Sequence, residues 1–356
     1  MSEADPRGVR TQRAVMRAIP VLLGLLIVGG LLLLGLRLLE PPADDYVGAG
    51  SGEVTISVSP GQTLSQIGST LVTADVVRSQ AAFIRATEAD PRAAGIAAGT
   101  YLMRRQMSAA AAIERFLDPA TRIVDRVVIP EGSTASDVVS RVADATGLST
   151  ESLQAVLDNP QALGLPAYAG QNVEGFLFPA TYELDPAATA DAVLGRMVRR
   201  FETAAADVDL VARAKARGIT PYEAVIIASL VEREGRPEDF GKVAQVVYNR
   251  LAAGMPLQFD STVNYGLGIN ELNLTRDQLD TDTPYNSYRN RGLPPTPISN
   301  PGAAALRAAL FPEDGDWLYF VTVDPDTGET RFSVDYDDFL VNKRLLDAWR
   351  RDNPGR

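Results

Sequence analysis

The stretch IPVLLGLLIVGGLLLLGL, residues 19–36, carries no charged side chain. At 1.5 Å per helical residue it reaches roughly 27 Å, the thickness of a bilayer's hydrocarbon core. Arg7, Arg10, Arg13 and Arg17 precede it, and the flank that follows, RLLEPPADDYVGAGSGE, is mostly acidic. The positive-inside rule therefore predicts a cytoplasmic tail at 1–18, a single transmembrane helix at 19–39 and an extracytoplasmic remainder. The run is longer than the apolar part of a signal peptide and no small-residue cleavage site follows closely, so an anchor in the plasma or inner membrane is the expectation. With no Cys in the chain, a lipoprotein box is excluded.

The remaining sequence is that of a globular protein: 356 residues in all, 46% apolar, with a formal net charge of -11. An acidic chain without a Lys/Arg stripe argues against nucleic acid as a partner. The sequence also contains no His. Together with the missing Cys, this removes thiol nucleophiles, disulfides, Ser-His-Asp triads, His-ligated zinc and any imidazole base. Chemistry here falls to carboxylates, hydroxyls, amides, Lys or Arg, with no cofactor or metal called for.

Pro, Gly, Ser and Asp at 40–53 read as a linker. Beyond it a weak repeat relates VTISVSPGQTLSQIGSTL (54–71) to RVVIPEGSTASDVVSRV (126–142). Each copy is an alternating strand, a turn and a helix, with Thr63 and Thr134 as N-caps and Ile67, Leu71, Val138 and Val142 on the buried faces. AGTYLMRRQMSAAAAIERFL adds a strand and a helix, which closes a small α+β module at 54–122, followed by a second β-turn-α unit at 123–173. A larger α+β domain at 174–350 follows. Its expected helices lie at about 187–205, from Thr220-Pro221 to Gly235, and at about 240–253. Polar, aromatic loops are expected at 255–268 and 283–302, and WLYFVTVDPDTGETRFSV reads as a hairpin.

The helix ending VEREG places Glu232 and Glu234 where the macrodipole disfavours anions. Glu234 shares a face with Ile227, Leu230 and Val231, whereas Glu232 looks back on Val225, Ala228 and Ser229. Desolvation over the more apolar ridge and the helix terminus both raise a carboxyl pKa, so Glu234 is the better candidate for a general acid, with Glu232 the alternative. Gly235 would leave room for an approaching group. The plainer alternative has both glutamates solvated and paired with Arg233 or Arg236. Downstream, Gln258, Asp260, Ser261, Thr262, Tyr265, Asn286 and Tyr288 concentrate hydrogen-bonding and stacking groups of the kind that bind sugars.

The ordered segments ASLVEREG, KVAQVVYNRLAAGMPLQFDSTVNYGLG, TPYNSYRNRGLPPTPISNPGAAALRAALFP and WLYFVTVDPDTGETRFS resemble the MltG/YceG-like family of endolytic murein transglycosylases, as does the upstream EGFLFPATY. The strand-turn-helix units likewise resemble LysM-like modules of cell-wall proteins. The resemblance implies cleavage of peptidoglycan glycan strands after N-acetylmuramic acid, leaving 1,6-anhydro ends, by one glutamate that maps to Glu234. It also implies the peptidoglycan synthesis machinery as partner. Gly235 stands where a small hydroxyl residue is common, and Thr330 and Phe339 stand where family histidines are expected, so those positions take no acid-base role. Two other readings remain open: a two-carboxylate glycoside hydrolase using Asp260, and a non-catalytic wall-binding scaffold.

Overall fold

The computed structural model describes residues 44–271 and 273–353. The expected cytoplasmic tail and membrane span lie outside the described residues, and among those described no helix is long and apolar enough to cross a membrane. The chain is α+β and divides into two compact units between Ile123 and Val124.

The first unit runs β1 (Ser51–Val58), α1 (Leu64–Thr73), α2 (Gln80–Ala89), β2 (Gly99–Arg105), α3 (Ala109–Leu117) and β3 (Arg122–Ile123). Its antiparallel sheet has the order β1-β2-β3, with Val54 opposite Met103 and Ile56 opposite Tyr101. Period-two alternation sends Ile56 and Val58 inward to meet Ile67, Leu71, Phe83, Met103 and Ile113. Thr63 starts α1 with a capping box: its hydroxyl accepts from the Gln66 amide at 3.3 Å, and its own N–H donates to the Gln66 side chain at 2.8 Å. Part of the stretch that reads as a linker is tied down. Asp45 accepts from Ala109 N–H, and the Tyr46 hydroxyl donates to Asp75 at 2.8 Å.

The second unit opens with β4 (Asp125–Val128), α4 (Ala135–Thr146) and α5 (Thr150–Asp158), and β4 pairs antiparallel with β5 (Thr181–Leu184). Then come α6 (Ala190–Asp207), α7 (Leu210–Ala216), α8 (Pro221–Glu234), α9 (Phe240–Ala252), α10 (Asp260–Leu267), α11 (Arg276–Leu279) and α12 (Ala303–Leu310). The hairpin β6 (Tyr319–Asp324) and β7 (Glu329–Ser333) and the helix α13 (Tyr336–Asp352) end the described chain. Thr134 caps α4 as Thr63 caps α1, with Asp137 completing the box.

Helix α8 is the axis of this unit. Thr220 and Glu223 form a capping box, Pro221 occupies the first turn, and Ala224 to Val231 are all buried. A helix apolar on every side must be surrounded, and α9 and α12 pack against it. The expectation of a loop across 255–268 is corrected at 260–267, which is helical. Phe259, its N-cap, supplies no side-chain cap, and the left-handed backbone of Gln258 (φ 54) turns the chain so that Phe259 enters the core.

Asn300 fastens the segments around α8. Its Oδ1 accepts from Leu177 N–H at 2.8 Å, its Nδ2 donates to Ser133 O at 2.9 Å and toward Glu174 Oε1 at 3.3 Å, and its side chain is fully buried. Gly175 makes the approach possible: at φ 91, a Cβ there would stand 2.7 Å from Pro297 and 2.9 Å from Val225. Asn300→Ala orphans the buried Leu177 N–H and removes one of the two donors on Ser133 O, the Asn300 backbone N–H remaining. A loss of about 2–4 kcal/mol in denaturant unfolding is expected, and a change under about 0.5 kcal/mol would show that other groups hold these segments.

Candidate active site

The two glutamates at the end of α8 meet different surroundings. Glu232 accepts a hydrogen bond from Gly302 N–H at 2.9 Å, and Gly302 is the N-cap of α12. Its carboxylate thus satisfies an end-of-helix donor and meets the positive end of the α12 dipole. Glu234 is half-buried and reaches Ser261 in the first turn of α10. Desolvation raises its pKa to about 7, the neighbouring Asp260 charge adds to the rise, and the Ser261 hydroxyl and amide pull against it.

The arginines do not pair with these carboxylates among the described residues. Arg233 donates to Asn270 Oδ1 at 3.2 Å and toward Gly132 O, while Arg236 donates to Thr327 O at 2.6 Å in the hairpin turn. The space expected beside Gly235 is also occupied. A Cβ there would meet Phe240 at 3.1 Å and Val243 at 3.2 Å, so the glycine lets α9 pack closely instead of opening toward a ligand.

A cleft of about 500 Å³ is lined by the start of α4 (Thr134, Asp137), by Gln154 of α5, by Glu174 and Arg233, and by Ser261, Asn264 and Tyr265 of α10. Glu234 is not among the lining residues and adjoins the cleft through Ser261. Tyr265, one helical turn beyond Ser261, donates to Glu174 at 3.1 Å and meets Tyr285 edge-on at 4.9 Å. Tyr288 donates to Asp260 at 2.6 Å, which ties that carboxylate to the 283–302 loop. Burial and the Asp260 charge push the Tyr288 phenol well above its ordinary pKa, so it remains a donor.

Gln258 is exposed, with its backbone N–H donating to Ser287 O. Two expected sugar-binding residues take a different part. Thr262 is fully buried, its hydroxyl donating to Phe259 O and facing the Ser287 hydroxyl; Asn286 is fully buried, donating to Leu279 O and Thr281 O. Their polar atoms are engaged in holding the loops together.

Glu174 was legible only as a carboxylate inside the packed run EGFLFPATY. It is 6% exposed and accepts from Ala135 N–H at 3.1 Å, from Tyr265 and from Asn300. Desolvation nevertheless raises its pKa to about 7, with the Ala135 and Tyr265 donors opposing the rise.

An α+β unit built round a buried helix, with one such carboxyl lining a polar cleft and another beside it, is of a class that does acid-base chemistry on a polar substrate. The sequence model of the YceG-like family matches residues 56–345, and the chain belongs to that family. It is 32% identical over 328 residues to the endolytic murein transglycosylase of Bacillus subtilis, covering 86% of this chain and 88% of that protein. The endolytic murein transglycosylase of Streptococcus pneumoniae is 30% identical over 319 residues, which span 80% of this chain and 57% of that one. The crystal structure of a YceG-like protein from Listeria monocytogenes matches with a TM-score of 0.56 at 27% identity, over 82% of this chain and 99% of that one.

Glu174 and Glu234 both hold a proton more tightly in the folded chain, with pKa values of about 7 against an ordinary 4.5. Between those values the folded state binds more protons than the unfolded one, so stability falls as pH rises through that window. Thermal unfolding should show a lower Tm at pH 8 than at pH 5. Glu234→Gln should flatten the slope and unfold about 2–4 °C above wild type at pH 8; Tm–pH curves of wild type and variant that superimpose would contradict the assignment at Glu234.

Proposed function

We propose that the chain is a lytic transglycosylase that cleaves peptidoglycan glycan strands within the chain, after N-acetylmuramic acid, with Glu234 as the single acid and base. The observation that carries this reading is the half-buried Glu234 carboxyl, with its pKa raised to about 7 in company with Asp260. The names of the B. subtilis and S. pneumoniae relatives support it.

Glu234 gives its proton to the glycosidic oxygen as the C1–O bond breaks, and the sugar's acetamido group stabilises the positive charge at C1. The C6 hydroxyl then attacks C1 and returns its proton to the Glu234 carboxylate. The ring closes as a 1,6-anhydro sugar, no water is consumed, and the acid is regenerated. Asp260, held by Tyr288, acts through charge: an adjacent anion keeps the proton on Glu234 and favours a cation at C1. Gln258, Ser261, Tyr265 and Tyr288 remain the groups proposed to meet the glycan.

Around this site we place a cytoplasmic tail at 1–18, a membrane anchor at 19–39, a linker at 40–53, a LysM-like wall-binding module at 54–122, a second β-turn-α unit at 123–173 and the catalytic domain at 174–350. The pair of helices between two paired antiparallel strands in the first unit supports the LysM-like reading. In this arrangement the protein is a single-pass protein of the plasma or inner membrane that works beside the peptidoglycan synthesis machinery.

Digestion of purified glycan strands by the full chain, read by mass spectrometry, tests the chemistry. Ends lighter by one water than reducing ends are expected, because the C6 hydroxyl replaces water. Glu234→Gln should lower cleavage at least about a hundredfold, Glu232→Gln should act mainly on stability, and Asp260→Asn should lower the rate by less than Glu234→Gln, because it removes a supporting charge and not the acid. Hydrated reducing ends together with an inactive Asp260→Asn would replace this reading with a two-carboxylate hydrolase, which the proximity of Asp260 to Glu234 makes the nearest rival. Strands that bind the chain but stay uncut would make it a scaffold.

A further inference from the structure

Ser261 stands out among the residues of α10. It is only 9% exposed, it lines the cleft, and its hydroxyl has no hydrogen-bond partner among the described residues. Its neighbours are all committed: Thr262 donates to Phe259 O, Asn264 bonds the backbone of Glu271 through both side-chain atoms, and Tyr265 donates to Glu174. A buried hydroxyl without a partner weakens a fold, so its presence calls for a group that meets it in some other state. The Ser261 N–H lies in the first turn of α10, where no intrahelical acceptor exists and Phe259 offers no side-chain cap.

Both donors bear on one carboxyl. The hydroxyl and amide of Ser261 act on Glu234 without the hydroxyl reaching ordinary hydrogen-bond geometry in this state. The geometry points to Ser261 as a positioning residue for Glu234, whose hydroxyl and amide form a two-donor seat that closes on the carboxylate once the proton has left. This inference rests on the proposed role of Glu234 as acid.

The consequence for the reaction is directional. When Glu234 passes its proton to the glycosidic oxygen, the new negative charge draws in two donors from the first turn of α10, one of them a backbone N–H at the positive end of that helix. Stabilising the conjugate base makes Glu234 the stronger acid in the bond-breaking step. When the C6 hydroxyl returns its proton, the hydroxyl of Ser261 is released to the unpartnered state seen here.

The test is a comparison of full-length wild type, Ser261→Ala and Ser261→Thr in glycan-strand cleavage between pH 5 and 9, with thermal unfolding of each. Loss of one charge-assisted hydrogen bond predicts a fall in kcat of roughly ten- to a hundredfold for Ser261→Ala. Glu234 must be protonated to act, and removing a donor to its carboxylate raises its pKa, so the descending limb of kcat/KM should move to higher pH. Tm should stay level or rise, because the alanine removes an unsatisfied buried group. Ser261→Thr should restore most of the rate and the wild-type limb. An unchanged rate and limb in Ser261→Ala would overturn the inference, and so would a lost rate that tracks a lowered Tm with the limb unmoved. Glu234→Gln measured alongside separates the two claims: if it stays active, the reading of Glu234 itself fails, whatever Ser261 does.

Discussion

A carboxyl group buried at Glu174 is the constraint on which the cleft depends. Removing a carboxylate from water is costly unless donors replace its hydration. Here the donors come from three separate segments: Ala135 at the start of α4, Tyr265 on α10, and Asn300 in the loop before α12. Satisfying one side chain therefore fixes the mutual positions of all three. Gly175 lets the same strand of chain press against Pro297 and Val225, which ties the network to α8. Tyr265 and Ser261 are one helical turn apart, so the bond that satisfies Glu174 also decides which face of α10 is offered to Glu234.

The paired glutamates of α8 show how two like residues acquire different properties. Positions i and i+2 lie about 200° apart around a helix, so Glu232 and Glu234 cannot share an environment. Glu232 faces the loop that starts α12 and finds a backbone donor at Gly302. Glu234 faces α10, where desolvation and Asp260 outweigh the Ser261 donors. Burial raises both pKa values, with Glu131 adding to the rise at Glu232 and the Gly302 donor opposing it. The carboxyl with the larger rise is the one left facing a group that lines the cleft.

Much of this architecture could be read from residue order because it depends on local chemistry. Thr220 followed by Pro221 and Glu223 specifies a helix start from four adjacent positions, and the Thr63 and Thr134 caps do the same for the two repeats. Helix α10 is hard to read from the sequence because it is short, begins without a side-chain cap, and opens with Asp, Ser, Thr, Val and Asn, all poor helix formers. Its existence depends on tertiary packing of Val263 and on the turn at Gln258. The roles of Thr262 and Asn286 were hidden for a related reason. A polar side chain suited to a ligand is equally suited to a backbone carbonyl, and only the folded chain shows which it meets. Glu174 belongs with them, since its partners lie up to 126 residues away in sequence.

The charges near Glu234 are arranged for a group that must hold a proton and also release it. Asp260 disfavours the Glu234 carboxylate, and the 2.6 Å bond from Tyr288 keeps Asp260 in place. Arg250 works in the opposite sense. It is buried, its guanidinium donates to the carbonyls of Leu318, Leu257 and Pro256, and its charge interacts with Glu234, Tyr288 and Tyr319. Carbonyl acceptors satisfy its N–H groups without neutralising its charge, so a positive field persists in the low-dielectric interior. Losing a proton places Glu234 in the field of this cation, while keeping it avoids the field of Asp260. Opposed fixed charges narrow the free-energy gap between the two states of the carboxyl. In the proposed reaction one residue serves first as acid and then as base, and a narrow gap of that kind is what lets both proton transfers proceed at one pH.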